Sequence, residues 1–103
     1  MLCTVEIIQQ VWEKGTVTTG NDPKYWRQDE CGAWIARTKY GCQQSPFGWE
    51  INYINPQTIQ GGQDLPNLRP MQWKNNISKQ ADGAVCVIKA VKTENRDIPK
   101  IVI

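Results

Sequence analysis

Gly48-Trp49-Glu50-Ile51-Asn52-Tyr53-Ile54-Asn55-Pro56 is the stretch on which the reading of the fold turns. Its β-branched and aromatic residues favour an extended strand over residues 49–54, and Pro56, which cannot donate to a ladder, closes it. Gly61-Gly62 then marks a loop that runs through Pro66. Asn67-Leu68-Arg69-Pro70-Met71 returns as a second extended segment, and residues 72–80 read as a helix of about two turns ending near Asp82-Gly83. Strand 49–54 and strand 68–71 are expected to pair antiparallel. The helix should follow them directly.

Outward from this stretch, Gly32-Ala33-Trp34-Ile35-Ala36-Arg37-Thr38-Lys39-Tyr40 also reads as a strand, and residues 41–48, with Pro46, bring it back against residues 49–54 as a hairpin. Val5, Ile7, Ile8, Val11 and Trp12 fit either a strand or a short amphipathic helix, and the β-branched content favours the strand. Gly15 and Gly20-Asn21-Asp22-Pro23 are turn signals. Residues 85–91 are strongly strand-like, residues 92–97 form a polar connection, and the apolar tail 98–103 would add an edge strand, to which Pro99 confines it. The sum is an α+β class: a small single domain, residues 1–103, built on antiparallel β-hairpins.

Composition narrows the chemistry. Five tryptophans in 103 residues are a large apolar payload, and three or four of them should anchor the core. Twelve Lys and Arg against ten Asp and Glu give +2, which is no dominant basic field for nucleic acid. The chain has no histidine, so the usual general base and the commonest transition-metal ligand are both missing. Cys3, Cys31, Cys42 and Cys86 contain no C-x-x-C pair, which argues against a structural zinc site. Four cysteines allow three disulfide connectivities. Residues 1–10 lack a basic region followed by a long apolar run, and no stretch approaches the length of a membrane span. The cysteines are therefore read as reduced, mostly buried small apolar residues of a cytoplasmic protein. For the same reason the formal glycosylation acceptor Asn76-Ile77-Ser78 is read as chance.

Taken together, the strand residues 48–56, Gly61-Gly62-x-Asp64, Asn67-Leu68-x-Pro70 and Trp73-x-Asn75-Asn76-x-x-Lys79 resemble the finger of the HNH nuclease family, the ββα-metal fold. Val11-Trp12-Glu13-Lys14-Gly15, Trp26-Arg27-x-Asp29 and Cys31-Gly32-Ala33-Trp34-Ile35 are similar to sequences that precede that finger in one bacterial subgroup, so the likeness covers residues 11 to 92. It implies a ββα core over about residues 48–82, with the Asn52, Asn67 and Asn76 side chains converging. It also implies a site in which a strand Asp and a helix His or Asn hold a divalent cation, a neighbouring His activates water, and a loop Asn orients that His.

Carried over, the helix ligand falls on Asn76 and the loop Asn on Asn67, which both match. The strand Asp falls on Asn52 and the catalytic His on Tyr53, which both depart. Mg²⁺ is usually held through one or two carboxylates, and Asn52 offers only a neutral carbonyl oxygen. A tyrosine has an ordinary pKa near 10, so roughly one molecule in a hundred or fewer would carry phenolate at neutral pH. The same positions have plainer readings. Asn67 would fix loop geometry through backbone hydrogen bonds, Asn76 and Lys79 would be a solvated helix face, and Tyr53 would pack over Trp73 or a neighbouring strand.

The resemblance thus implies a degenerate, non-catalytic HNH-fold binding protein, a phage or bacterial regulator or inhibitor. Its former cleft would hold nucleic acid, a nucleotide-like ligand or a protein partner. Arg37, Lys39, Arg69, Lys74 and Lys79 flank that cleft and would contact phosphates. No cofactor, metal or membrane is expected. The competing expectation is a divergent metal-dependent endonuclease that uses Tyr53 in place of His, with Glu50 and Asn76 holding Mg²⁺ or another divalent cation weakly.

Overall fold

The computed structural model describes residues 4–55, 65–82 and 85–99, and of 80–82 the backbone alone. Two helices and three two-stranded antiparallel sheets make a mixed α+β fold.

Residues 5–12 are a helix, α1 (Val5–Trp12), not the expected strand. The cap decides it: Thr4 is extended, and its side chain accepts from the Ile7 amide at 3.2 Å. Glu6 in the first turn complements the helix dipole. Ile7, Ile8, Val11 and Trp12 then share one face, with Val11 and Trp12 fully buried. A helical stripe packed on a core outweighs the weak strand preference of its β-branched residues.

Strands β1 (Trp26–Gln28) and β2 (Trp34–Ala36) pair with each other, Arg27 opposite Ile35. The expected hairpin between residues 32–40 and 49–54 does not form. After β2 the chain enters a 3-10 turn, Arg37–Lys39, and only a short bridge survives, in which the Gly41 amide donates to the Trp49 carbonyl at 2.8 Å. The return loop is too tight to carry a ladder. A Cβ placed on Gly48 would lie 1.7 Å from the Cys42 carbonyl oxygen, so no larger residue fits there.

Strand β3 (Trp49–Tyr53) instead pairs with β4 (Leu68–Gln72), in a register that runs from Trp49 opposite Gln72 to Tyr53 opposite Leu68. Helix α2 (Trp73–Asp82) begins at once. The Gln72 side chain acts as its cap, its carbonyl oxygen accepting from the Lys74 and Asn75 amides at 2.8 and 3.1 Å. Last come β5 (Ile88–Val91) and β6 (Glu94–Asp97), a hairpin whose two-residue turn places Lys92 at φ 58°. The polar stretch 92–97 is thus mostly strand. Ile98 and Pro99 belong to no strand, and the rest of the expected tail strand lies outside the described residues, as do residues 56–64 of the expected loop region.

The core joins Val11 and Trp12 of α1, Ile35 of β2, Trp49 and Ile51 of β3 and Leu68 of β4. Trp12 and Trp49 meet with ring centroids 5.3 Å apart, and they are the two tryptophans that are fully buried. Trp26, Trp34 and Trp73 are half-buried, so fewer tryptophans anchor the core than their number suggested. Trp26 meets the edges of Trp34 and Phe47 in a second, shallower aromatic group.

The cysteines are not all reduced. Cys31 and Cys86 form a disulfide across a separation of 55 residues, while Cys42 is a free, half-buried thiol. This corrects the premise on which a reducing, cytoplasmic setting was expected. Pairing of this kind depends on which turn faces which strand, not on cysteine spacing. No helix among the described residues is long and apolar enough to cross a membrane.

Candidate functional site: a buried amide pair beneath an arginine

The β3–β4 register sets Asn52 opposite Arg69, and α2 starts early enough for Asn76, in its first full turn, to reach the same spot. Asn52 Nδ2 donates to Asn76 Oδ1 at 2.9 Å, and Arg69 Nε donates to Asn52 Oδ1 at 2.8 Å. The direction of this relay is forced. A guanidinium only donates, so Asn52 must turn its oxygen to Arg69 and its amide nitrogen to Asn76. Both asparagines are buried, at 3% and 5% exposure, which also rules out Asn76 as a glycosylation acceptor in the folded chain. On the far side, Arg69 Nη1 and Lys79 Nζ share the carboxylate of Glu30. Lys79 takes Oε1 at 3.1 Å and Arg69 takes Oε2. Lys79 is three residues beyond Asn76 and therefore on the same helix face. A cleft of about 210 Å³ opens beside Glu30 and Arg69, bordered by Lys14, Thr16 and Gln28.

Asn67 stands apart from this pair. Its side chain is committed to the Asn55 backbone, accepting from the amide at 2.7 Å and donating to the carbonyl at 2.9 Å. The expected convergence of three asparagines is thus a convergence of two, with Asn67 pinning the ends of β3 and β4. Tyr53 is half-buried and packs against the apolar core. Alternation along β3 puts it on the face of Trp49 and Ile51, opposite Glu50 and Asn52. Trp73 donates its indole N–H to the Ser45 carbonyl and carries Lys74 over its ring. Glu50 accepts from the Gln43 side chain at 3.2 Å.

Of the five flanking cations, Arg69 and Lys79 join the site. Arg37 bonds the Gln9 side chain on α1 at 2.9 Å, and Lys39 is exposed in the 3-10 turn.

Behind the amide pair lies a carboxylate that composition alone did not single out. Asp29, 3% exposed, accepts from the Cys31 and Ala33 amides on one oxygen and from the Gln72 amide and Asn75 Nδ2 on the other, at 2.9–3.0 Å. Asn75, fully buried, passes the connection on: its Oδ1 accepts from Val87 and Ile88 amides at 2.8 Å and its Nδ2 also reaches the Ile88 carbonyl. One buried pair therefore ties the β1–β2 turn, the start of α2 and the start of β5. Burial pushes the Asp29 carboxyl above the ordinary carboxylate range, against the hydrogen bonds from Asn75, Ala33, Gln72 and Cys31 that pull it down.

Asp29→Asn would turn an NH₂ toward two N–H donors, and should cost about 2–3 kcal/mol in urea denaturation at neutral pH. The pH dependence has a defined sign. With its folded pKa raised above 3.8, the folded chain binds the Asp29 proton more tightly than the unfolded chain does. The Asp29 contribution to stability therefore rises as pH falls through that window, and the deficit of Asp29→Asn should widen on acidification. A deficit that shrinks would contradict the burial argument.

No family model, curated protein or solved structure matches the chain.

Proposed function

We propose that the chain is a non-catalytic binding protein on an HNH-like ββα frame, with the metal centre replaced by a hydrogen-bonded amide pair under an arginine. The observation that carries this reading is the relay from Arg69 through Asn52 to Asn76. In the family the resemblance points to, the positions of Asn52 and Asn76 hold the cation. Here both amide oxygens accept protein donors, and the arginine above them shares the carboxylate of Glu30 with Lys79. Among the described residues no group of three or more His, Cys, Asp and Glu could hold a metal ion. A hard cation that dehydrates reluctantly and favours carboxylates does not fit such a donor set.

The strand–strand–helix order and the Asn67 clamp support the frame, and Tyr53 on the core face disfavours a phenolic base acting beside Asn52. The ligand that suits the remaining chemistry is anionic: nucleic acid or a nucleotide-like molecule, with a protein partner as the other candidate. The role of a phage or bacterial regulator or inhibitor rests on the likeness to the family alone.

Isothermal calorimetry with Mg²⁺ tests the replaced centre. Affinity weaker than about 1 mM is expected, because both direct ligands would be neutral amides and the Glu30 carboxylate is taken up by Arg69 and Lys79. A micromolar constant would overturn the proposal and make Glu50 a ligand.

A further inference from the structure

We infer that Arg69 and Lys79 form a phosphate-binding site that is closed, in the free protein, by the carboxylate of Glu30. This rests on the binding reading above and specifies the ligand chemistry and regulation of that same site. Glu30 gives one oxygen to each cation, the fork that two oxygens of a phosphate group would present with more charge. The two cations are built in. The Lys79 side chain is 10% exposed and the Arg69 side chain 22%, and Arg69 is aimed by its bond to buried Asn52. Glu30 is the most exposed of the three, its side chain at 44%.

A buried ammonium left without an anion is costly, so whatever displaces Glu30 must itself be negative. The flanking residues keep the backbone of the turn in place while the side chain swings: Asp29 is held by four hydrogen bonds and Cys31 by the disulfide. The cleft beside Glu30 and Arg69 gives the displaced carboxylate, or the rest of the ligand, somewhere to go. Neither net charge nor the HNH-like residues indicate this arrangement, since Glu30 lies outside the finger and 39 residues before Arg69.

The test is a titration of the full chain with inorganic phosphate at constant ionic strength, followed by backbone amide NMR. A second arm uses a short single-stranded DNA without terminal phosphates. Tightening in the phosphate arm alone assigns a phosphomonoester or free phosphate, and tightening in both assigns a phosphodiester as well. Glu30→Gln should bind roughly twofold to fivefold more tightly than wild type, the worth of one partly exposed ion pair, with shifts centred on Arg69 and Lys79. Glu30→Asp, too short to bridge both cations, should fall between the two and serves if Glu30→Gln proves unstable. Adding Arg69→Gln should abolish the gain. Equal affinity across wild type, Glu30→Gln and Glu30→Asp would overturn the inference, as would a gain that survives Arg69→Gln. A plasmid-nicking assay on the same samples separates the two proposals. Metal-dependent nicking would defeat the non-catalytic reading whatever Glu30 does, while unchanged phosphate affinity without nicking would defeat the latch alone.

Discussion

Opening the Cys31–Cys86 disulfide is expected to lower the stability of the fold by about 4 kcal/mol. The bridge closes a loop of 55 residues, and the chain-entropy relation gives a loss of that size when such a loop is released in the unfolded ensemble. Small domains are typically stable by about 5–15 kcal/mol, so the bridge would account for a large share. Its position gives the loss a local address as well. Cys31 sits in the turn organised by Asp29, and Cys86 immediately precedes the Val87 and Ile88 amides that Asn75 binds. Disulfide and hydrogen-bond network therefore tie the same two segments. Urea denaturation in the presence and absence of a dithiol reductant, with the Cys31→Ser/Cys86→Ser double variant as control, measures the effect. Superimposable transitions would show that Asp29 and Asn75 hold the segments unaided. In a reducing compartment the pair would stand as two thiols and the chain would depend on that network.

The parts of the fold legible in the sequence were those set by dense local signals. A β-branched and aromatic run ending at Asn55-Pro56, a return through Pro70 and a helix beginning beside Trp73 became β3, β4 and α2 nearly at their expected bounds. Illegible were choices made by distant partners. Residues 4–12 carry apolar positions compatible with either period, and the Thr4 cap with burial of Val11 and Trp12 selected the helix. β2 reads as a strand in isolation, but nothing in it announces pairing with β1 before it instead of β3 after it. Glu94–Asp97 has no apolar residue at all, and backbone pairing with β5 alone makes it a strand.

The site divides in the same way. Asn52, Asn76 and Lys79 are marked by the finger-like spacing and Arg69 as a cation flanking the cleft, and the four do come together. Arg37, Lys39 and Lys74 were marked only as cations near it in sequence, and Gln9 and the Trp73 ring engage two of them elsewhere. Glu30 gave no signal, being one acid among ten in a chain of mixed charge. Asp29 and Asn75 are 46 residues apart, so their coupling emerges only when the β1–β2 turn docks on α2.

On the proposed reading, absence of cleavage is the largest effect expected. General-base catalysis contributes about 10²–10⁴-fold, and a metal ion adds several kcal/mol of charge stabilisation. On the proposed HNH-like frame both would be missing at Asn52 and Tyr53, and Arg69 donates to the Asn52 oxygen that a cation would need. Restoring the pair is not enough on this geometry, because the carboxylate introduced by Asn52→Asp would meet the Arg69 guanidinium before any metal. Asn52→Asp/Tyr53→His should therefore stay well below nuclease levels, and replacing Arg69 as well is the step expected to bring metal affinity up. The most direct measurement is nicking of supercoiled plasmid by the purified wild-type chain with Mg²⁺, Mn²⁺, Ni²⁺ or Zn²⁺ at neutral pH. The expected result is no metal-dependent nicking above the protein-free rate. Metal-dependent nicking that disappears in Tyr53→Phe would contradict it.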